Sequence, residues 1–538
     1  MGSRRFAVLP SCRLTVLLGV LGAPCAAQAR IDAIYDAEKP VHDAVSYTIR
    51  MNLPETGKRI AAVVGIQWRV NGSGPLTINL DSVYTIESLT FDRKPAHYER
   101  HGDTVSVATE GRSGTVVTEI SYSGEPRDGL VIRGEGWDRT IFADNWPNRA
   151  RKWLASQDHP SDKATVQWTI EAPAWMTVLA NGEWVGSRPV VGDRKEWRFV
   201  ERQSIPVYTM VLGAARLAVT SLPNAMCQIR CVPVSIVTYP ADSAWAVNGP
   251  FRRASEMIDF FSDLIAPFPY EQLRHVETST IFGGMENSTL IFYDEKGYQR
   301  KTLNEGTVFH ETAHQWFGDA ATEADWHHLW LSEGFATYAA ALWTEHKEGA
   351  AALKAAMAAN KLDVVRSPAT ERPIIDPGAT NLMGLLNSNN YPKGSWVLHT
   401  LRGMIGDSAF FRGLRRYYKT YEHKNALSAD LARIMSEEAG ENLTWYFTQA
   451  LTQPGYPILA VAARLESGRL AITLRQVQKA EWGRYRLPNL TLKVGDQTVA
   501  APLTGPESVV TIPWSGSEVP TVSVDPDGWW LVEEQHAS

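Results

Sequence analysis

The stretch that decides the fold is His310-Glu311-Thr312-Ala313-His314, an H-E-x-x-H pattern. Residues four apart lie on one face of a helix, so both imidazoles can point at one metal ion. Glu311 then lies next to the ion without binding it, where it can act as a general base on a water molecule. Taken alone, the pattern also fits a surface helix with two solvated histidines.

A third metal ligand follows in the next predicted helix. Glu333 lies 19 residues after His314, in the stretch Trp-Leu-Ser-Glu-Gly-Phe-Ala at 330–336. A hairpin of two helices can bring this carboxylate beside both imidazoles. Two histidines and one glutamate, with the fourth position open to water, are typical of a catalytic site holding one zinc ion. The alternative for Glu333 is a simple acid at a helix N-terminus.

Other candidate site residues lie close by in the sequence. Asp319 and Asp325 could orient a ligating histidine, or they could be solvated loop acids. The stretch Gly283-Gly284-Met285-Glu286-Asn287 precedes the metal helix. Its glycines allow a peptide to approach the backbone closely, and Glu286 could bind a positive amine. Without further context, paired glycines indicate only a turn.

Composition and charge exclude several classes of protein. The 538 residues are 44% hydrophobic and 21% charged, as in a globular protein, and the length suggests about three domains. The net charge is −6, and it becomes −9 without the three arginines of residues 1–29. Such an acidic balance argues against a nucleic-acid partner.

The N-terminal residues 1–29 read as a secretory signal peptide. They combine Arg4, Arg5 and Arg13 with an apolar stretch at 14–21 and an Ala27-Gln28-Ala29 cleavage pattern. We therefore expect an exported protein, periplasmic or secreted, by either the general or the twin-arginine route. A short membrane anchor is the alternative, and no later segment is apolar enough to span a membrane.

Two cysteines remain beyond that segment, Cys227 and Cys231. In an oxidising compartment this spacing favours a small disulfide loop. A metal site is the less favoured alternative, because no second pair of cysteine or histidine residues lies nearby.

Hydrophobic periodicity divides the chain into three parts, and the predicted fold class is multidomain α+β. Residues 30–235 alternate like the strands of a β-sandwich, 236–452 are mainly helical, and 453–538 return to a period of two. The predicted helices are residues 251–265, 307–319, 332–347, 350–362, 395–404 and 428–439.

The combined motifs resemble the aminopeptidase N and leukotriene hydrolase family of zinc peptidases, the gluzincins. That family carries G-x-M-E-N, then H-E-x-x-H, then 18 intervening residues and a glutamate, in the order and spacing found here. Similarity continues at 316–318, 331–338 and 391–394, and it covers most of the chain. The resemblance implies a thermolysin-like catalytic domain between an N-terminal and a C-terminal β-sandwich.

The resemblance also implies residue roles. Glu286 would bind the free α-amine of a peptide, and Gly283 and Gly284 would hold its backbone near the scissile bond. Glu311 would move a proton from water to the leaving nitrogen. Tyr391 would hydrogen-bond the developing oxyanion.

The sequence departs from the family pattern at three points. Pro392 replaces the glutamate that usually follows the tyrosine. A second amine-binding Glu or Gln normally lies five residues before an arginine, here Arg151, which leaves Asp144, Asn145 or Trp146 as candidates. The large C-terminal helical-repeat domain of longer members does not follow residue 538 in this sequence, so we expect a more open cleft.

The expected function is zinc-dependent removal of N-terminal residues from peptides with a free amine. Three alternatives remain: an endopeptidase, an epoxide hydrolase, and a metal-bearing but inactive binding protein. Glu286 argues against the first, because an uncharged peptide segment would leave its carboxylate unpaired. Glu311 and Tyr391 argue against the last, since binding alone needs neither.

Overall fold

The computed structural model describes residues 29–36 and 38–535. The predicted signal peptide lies outside these residues except for Ala29. Within the described ranges, none of the helices combines the length and apolar character that crossing a membrane requires.

The first domain is built on one large twisted sheet. Its strand order is β13-β14-β11-β1-β2-β8-β4-β5, and all neighbours are antiparallel except β1 and β11. Along β2, alternate residues are buried, which places Ile66, Trp68 and Val70 in the core. Two smaller sheets, β12-β15-β10-β9 and β3-β7-β6, complete the domain. The strands are β1 (Asp43–Asn52), β2 (Ile60–Val70), β3 (Leu76–Asn79), β4 (Thr85–Phe91), β5 (Lys94–Pro95), β6 (Tyr98–His101), β7 (Thr104–Val107), β8 (Gly114–Gly124), β9 (Leu130–Arg133), β10 (Thr140–Ala143), β11 (Lys163–Pro173), β12 (Thr177–Ala180), β13 (Glu183–Val190), β14 (Arg194–Pro206) and β15 (Leu212–Ala215).

The second domain carries a five-stranded sheet and most of the helices. The sheet order is β16-β17-β18-β20-β19, with a parallel centre and antiparallel edges. The elements are β16 (Ala218–Ser221), β17 (Val234–Thr238), α1 (Ser243–Asn248), α2 (Ala254–Leu264), β18 (Leu273–Thr278), β19 (Gly284–Met285), β20 (Leu290–Asp294), α3 (Glu295–Gln299), α4 (Glu305–His314), β21 (Ala321–Glu323), α5 (Trp330–Glu348), α6 (Ala350–Arg366), α7 (Gly394–Tyr421), β22 (Lys424–Ala426), α8 (Ser428–Ala439) and α9 (Thr444–Thr452).

The predicted boundary between residues 235 and 236 falls inside β17. Because β17 pairs with β16 and β18, the sheet of the second domain begins at Ala218. The boundary therefore lies between β15 and β16. Sequence reading assigned these strands to the first domain because a strand pattern does not show which sheet it joins.

The helices agree with the sequence pattern in position and differ at their ends. Helix α8 has the predicted limits, whereas α4 ends at His314 and not at residue 319. After α4 the chain turns sharply at Gly318, whose φ of 127° favours glycine. Helix α7 is kinked at Gly406, where φ is 77°.

The last domain is the predicted second sandwich, with its own buried core. Sheets β27-β24-β23-β29 and β26-β25-β28 face each other across residues such as Leu470, Leu474 and Leu492. The strands are β23 (Ile458–Glu466), β24 (Arg469–Gln476), β25 (Thr491–Val494), β26 (Gln497–Ala500), β27 (Glu507–Pro513), β28 (Val522–Val524) and β29 (Glu533–Gln535). In the loop between β16 and β17, Cys227 and Cys231 form a disulfide.

Candidate metal centre and substrate strip

Three side chains from α4 and α5 converge on one point. The Nε2 atoms of His310 and His314 lie 3.1 Å apart, and Glu333 Oε2 lies 3.2 Å from the first and 3.3 Å from the second. Asn304 caps the N-terminus of helix α4, and its side chain accepts a hydrogen bond from Thr307 N. The structure thus brings together the three residues that the spacing predicted.

The orientation of His314 is fixed by its second ring nitrogen. Nδ1 lies 3.1 Å from Phe317 O and 3.0 Å from Ser332 Oγ. A proton on Nδ1, donated to the carbonyl, leaves the lone pair of Nε2 free for a metal. Neither Asp319 nor Asp325 contacts a ligating histidine, so the two acids do not play the orienting role that the sequence suggested.

Gly318 is required by this close packing. A Cβ atom there would lie 2.9 Å from His314 Nδ1 and would collide with Ser332 Oγ. A side chain at this position would displace the imidazole from the metal centre.

The residues fit a zinc ion on chemical grounds. Burial lowers the pKa of His310, which keeps its imidazole neutral and able to bind metal. Burial acts in the same direction on His314, but the carboxylates of Glu333 and Glu286 outweigh it and hold that pKa well above its usual value. Several carboxylates therefore face two imidazoles, and a divalent cation would balance this excess of negative charge.

Glu311 lies against residues 283–287, which form the substrate strip. A Cβ atom on Gly284 would overlap the Glu311 carboxylate, whereas one on Gly283 would meet nothing within 4 Å. Only Gly284 is therefore demanded by packing against the site. Burial raises the pKa of Glu311 well above its usual value, His314 opposes this, and a bound cation would oppose it further.

The strip continues into the buried carboxylate of Glu286. Gly284 and Met285 pair with β20, and Glu286 follows directly. Ligand atoms of Glu286, Glu311 and His314 lie within 4.8 Å of one another. Burial raises the pKa of Glu286, partly offset by His314.

Asn287, the last residue of the strip, is buried. Its Nδ2 donates to Met285 O at 3.4 Å, and its Oδ1 has no partner among the described residues. Its side chain therefore stabilises the turn after the strip.

Tyr391 reaches the centre from the turn that precedes α7. Its hydroxyl donates to Glu333 Oε1 at 2.7 Å, and its ring stacks on His310 with centroids 6.0 Å apart. The residue lies in a π-helical turn, Asn389–Lys393, where Lys393 N donates to Ser388 O at 2.9 Å. Pro392 fits this wide turn, so the departure at this position leaves the phenol at the centre.

Asp144 and Asn145 are engaged elsewhere. Asp144 Oδ1 accepts from Arg149 at 2.6 Å. Asn145 donates to Met210 O and accepts from Trp153 Nε1, both at 2.8 Å. Neither side chain is free to bind an amine.

Trp146, the third candidate for the second amine-binding position, is buried. Its ring contacts Phe282 at 6.1 Å and Trp326 at 5.4 Å between centroids. It forms part of an aromatic wall next to the substrate strip and carries no charge.

The two histidines that follow Trp326 are structural. His328 bonds Ala33 O and Ser428 Oγ, both at 2.8 Å, and His327 Nδ1 bonds Asp325 Oδ1 at 2.6 Å. The metal centre does not use them.

Sequence reasoning missed Tyr208 and Lys163, both buried beside the site. Tyr208 lies 3.4 Å from Gly318 O, and Lys163 Nζ lies 2.8 Å from Asp319 O. Each comes from the first domain, about 100 residues or more before α4. No sequence signal links positions so far apart.

The fold and the metal centre together define the class of proteins that bind a metal through an H-E-x-x-H helix. Two histidines lie on that helix, and a glutamate lies on the next one. The model "Peptidase family M1 domain" matches residues 250–449, and "Peptidase M1 N-terminal domain" matches residues 76–209. The chain belongs to peptidase family M1.

Curated relatives agree with this family. Aminopeptidase M1-B of Oryza sativa subsp. japonica is 28% identical over 64% of this chain. Aminopeptidase N of Lactobacillus delbrueckii subsp. lactis is 27% identical over 73%. The matches span 39% and 48% of those relatives, so the chain corresponds to about half of their length or less.

Solved structures share the fold. The M1 zinc metallopeptidase from Deinococcus radiodurans aligns with a TM-score of 0.66 at 25% identity, over 77% of this chain and 96% of that one. Legionella pneumophila aminopeptidase A, in complex with aspartic acid, has a TM-score of 0.81 at 17% identity. It covers 95% of this chain and 61% of its own.

Proposed function

We propose that the protein is a zinc-dependent aminopeptidase that removes N-terminal residues from peptides. The observation that carries this proposal is the arrangement of two buried carboxylates beside three converging metal ligands. Ligand atoms of Glu311 and Glu286 lie within 4.8 Å of each other and of His314, which also belongs to the ligand set His310, His314 and Glu333.

Zinc, when bound, would supply a Lewis acid that polarises the scissile carbonyl and acidifies a water molecule. Glu311 accepts one proton from that water as its oxygen attacks the carbonyl carbon. The same carboxyl then gives the proton to the leaving nitrogen as the peptide bond breaks. Gly284 lets the substrate backbone pass next to this carboxylate, because any side chain there would overlap it.

Glu286 determines which peptide bond is cleaved. Its buried carboxylate forms no ion pair among the described residues. His314 offsets the cost of burial only in part, and a buried charge without full compensation is costly. A free α-amine would neutralise it, whereas an internal peptide segment would not. This favours cleavage after the first residue over cleavage within the chain.

Tyr391 stabilises the oxyanion that develops when water attacks the carbonyl carbon. Its phenol, 2.7 Å from Glu333 Oε1, lies beside the metal ligands and can donate a hydrogen bond to the oxyanion. Burial raises its pKa well above the usual value, so the hydroxyl keeps its proton. An inactive binding protein would need neither this donor nor Glu311.

The direct test is a panel of aminoacyl p-nitroanilides with matched N-acetylated forms, each assayed with and without a chelator. We expect turnover of the free-amine substrates, loss on chelation, and recovery with added zinc. Efficient cleavage of the N-acetylated forms would indicate an endopeptidase. Turnover of an epoxide but of no anilide would indicate an epoxide hydrolase.

We also propose export of the chain through its N-terminal residues. The charged start, the apolar stretch and the small-residue pattern before Arg30 support cleavage after Ala29. N-terminal sequencing of protein from the periplasm or medium should begin near Arg30. Protein that keeps residues 1–29 in a membrane fraction would favour the anchor instead.

A further inference from the structure

A buried amine from the first domain contacts the loop that follows the metal helix. Lys163 is the first residue of β11, and its Nζ lies 2.8 Å from Asp319 O and 2.6 Å from Ala320 O. The side chain is buried. The contact joins the first domain to the two residues that follow Gly318, where the chain turns away from His314.

Gln315 continues this contact to the substrate strip. Its Nε2 donates to Asp319 Oδ2 at 2.7 Å and to the backbone carbonyl of Glu286 at 2.8 Å. Its Oε1 accepts from Thr289 N at 2.9 Å. The amide is therefore held from both sides of the strip, and its position sets that of the Glu286 backbone.

Charge explains why a lysine is buried here. Asp319 Oδ1 and both carboxylate oxygens of Glu323 have no hydrogen-bond partner among the described residues. Burial lowers the pKa of Lys163 to about 7, while Asp319 and Glu323 oppose the fall. The two acids therefore favour the charged form of the lysine, whose amine donates to the backbone carbonyls of Asp319 and Ala320.

Resting on the proposed function, we propose that Lys163 is a positioning residue for amine recognition. It holds the 318–320 loop from the first domain and, through Asp319 and Gln315, fixes Glu286. None of the 144–146 side chains supplies a second free carboxylate. Accurate placement of the single amine-binding carboxylate is therefore what this connection provides.

The side-chain hydrogen bonds of this connection lead to Glu286. Its contact with a metal ligand is a backbone bond, in which Asp319 N donates to His314 O at 3.0 Å. His314 Nδ1 is held by Phe317 and Ser332, neither of which contacts Lys163. Loss of the lysine should therefore weaken amine binding while metal content stays constant. If the lysine only stabilised the contact between the two domains, its loss would lower the stability and would not change the affinity for substrate.

The test is Lys163→Met, with kcat and KM measured on a free-amine p-nitroanilide beside zinc content and Tm. We expect KM to rise about tenfold, kcat to stay within about threefold, and zinc to remain at one per chain. Lys152→Met is the matched control. That lysine pairs with Asp81 and Asp103 in the same domain, so its loss should lower Tm and leave KM unchanged.

Two further variants separate positioning from simple loss of packing. Lys163→Arg keeps a charged donor, and we expect its KM to return to within about threefold of wild type. Combining Lys163→Met with Gln315→Leu should raise KM no more than the stronger single change does, because both break one connection. If Lys163→Met does not fold, Gln315→Leu alone should reproduce the rise in KM.

Different results overturn different proposals. Wild-type KM in folded Lys163→Met, or a loss of zinc that accounts for its defect, would overturn the positioning role and leave the aminopeptidase proposal intact. Absence of turnover by wild-type protein on every free-amine substrate would overturn the proposed function, and the role of Lys163 with it.

Discussion

Two buried carboxylates near the metal centre, Glu286 and Asp144, differ in whether a cation already pairs with them. Burial raises the pKa of both. Asp144 accepts from the Arg149 guanidinium at 2.6 Å and from Ile281 N at 3.2 Å. Glu286 has no such cation among the described residues and lies near Glu311 and His314.

The difference shows that pairing, and not proximity, makes a carboxylate available to a ligand. A buried acid that already has an arginine gains little from a second cation, whereas an uncompensated one gains much. The sequence placed both acids near an amine site. Only the structure shows that Asp144 is already neutralised by Arg149.

The largest effect on activity is expected at Glu311, the proposed base that lies beside Glu286. Glu311→Gln should lower kcat by about 10³-fold or more, because general-base catalysis is lost while the metal ligands stay intact. Zinc content, measured by atomic emission, should remain at one ion per chain. Normal kcat with zinc retained would remove Glu311 from the mechanism.

A feature could be predicted from the sequence when residues close to each other in the chain determine it. Residues His310, His314 and Glu333 were predictable because a four-residue spacing and a helix start are local properties. The partner of His314 Nδ1 was not, since it is the Phe317 carbonyl, and every residue has a carbonyl. The limits of α8 were also read correctly.

Features set by distant pairing could not be read from the sequence. The sheet to which β17 belongs, the Arg149 partner of Asp144, and the placement of Lys163 all depend on tertiary packing. For this reason the predicted boundary at 235 falls inside β17. Asp144 and Trp146 contact Ile281 and Phe282, just before the strip, yet the bonding partners of residues 144–146 carried no sequence signal.

The next largest effect on activity is expected at Tyr391, whose phenol lies beside the metal ligands. Tyr391→Phe should lower kcat by about 10²-fold, as is typical for loss of one oxyanion donor, with a smaller change in KM. Because the ring still stacks on His310, zinc content and Tm should stay close to wild type. A tenfold rise in KM with unchanged kcat would assign Tyr391 to substrate binding instead.

The comparison itself is tested by paired neutral substitutions. Glu286→Gln should raise KM for free-amine anilides by about 30-fold, because a charge-assisted contact of roughly 2 kcal/mol is lost. Asp144→Asn should leave KM within about twofold and lower the free energy of unfolding by about 2 kcal/mol, since Arg149 loses its buried partner. Urea denaturation and steady-state kinetics on the same preparations separate the two.

The paired outcome also has a clear contradiction. If Asp144→Asn raises KM as much as Glu286→Gln does, Asp144 binds the amine despite its arginine. Equal losses of stability in both variants, with KM unchanged, would show that neither carboxylate contacts substrate.

The smallest effect is expected at Asp325, a third carboxylate near the site that is fully paired. It accepts from Tyr35 N, from Asp36 N, and from the backbone N and the Nδ1 of His327. Although burial opposes it, these bonds hold the pKa of Asp325 well below its usual value, and Asp325 raises that of His327.

The sign of the pH dependence follows from these two shifts. The depressed Asp325 pKa stabilises the fold above about pH 4, and this contribution is lost as pH falls toward the folded value. The raised His327 pKa stabilises below about pH 6.5 and is lost as pH rises through its folded value. We therefore expect Asp325→Asn to unfold about 1–2 kcal/mol more easily near pH 5–6, with the deficit shrinking at lower and higher pH. Thermal unfolding across pH 3–9 would measure this. A deficit independent of pH would mean that Asp325 acts through packing and not through its charge, whereas a raised KM would mean that even a fully paired carboxylate here reaches the substrate.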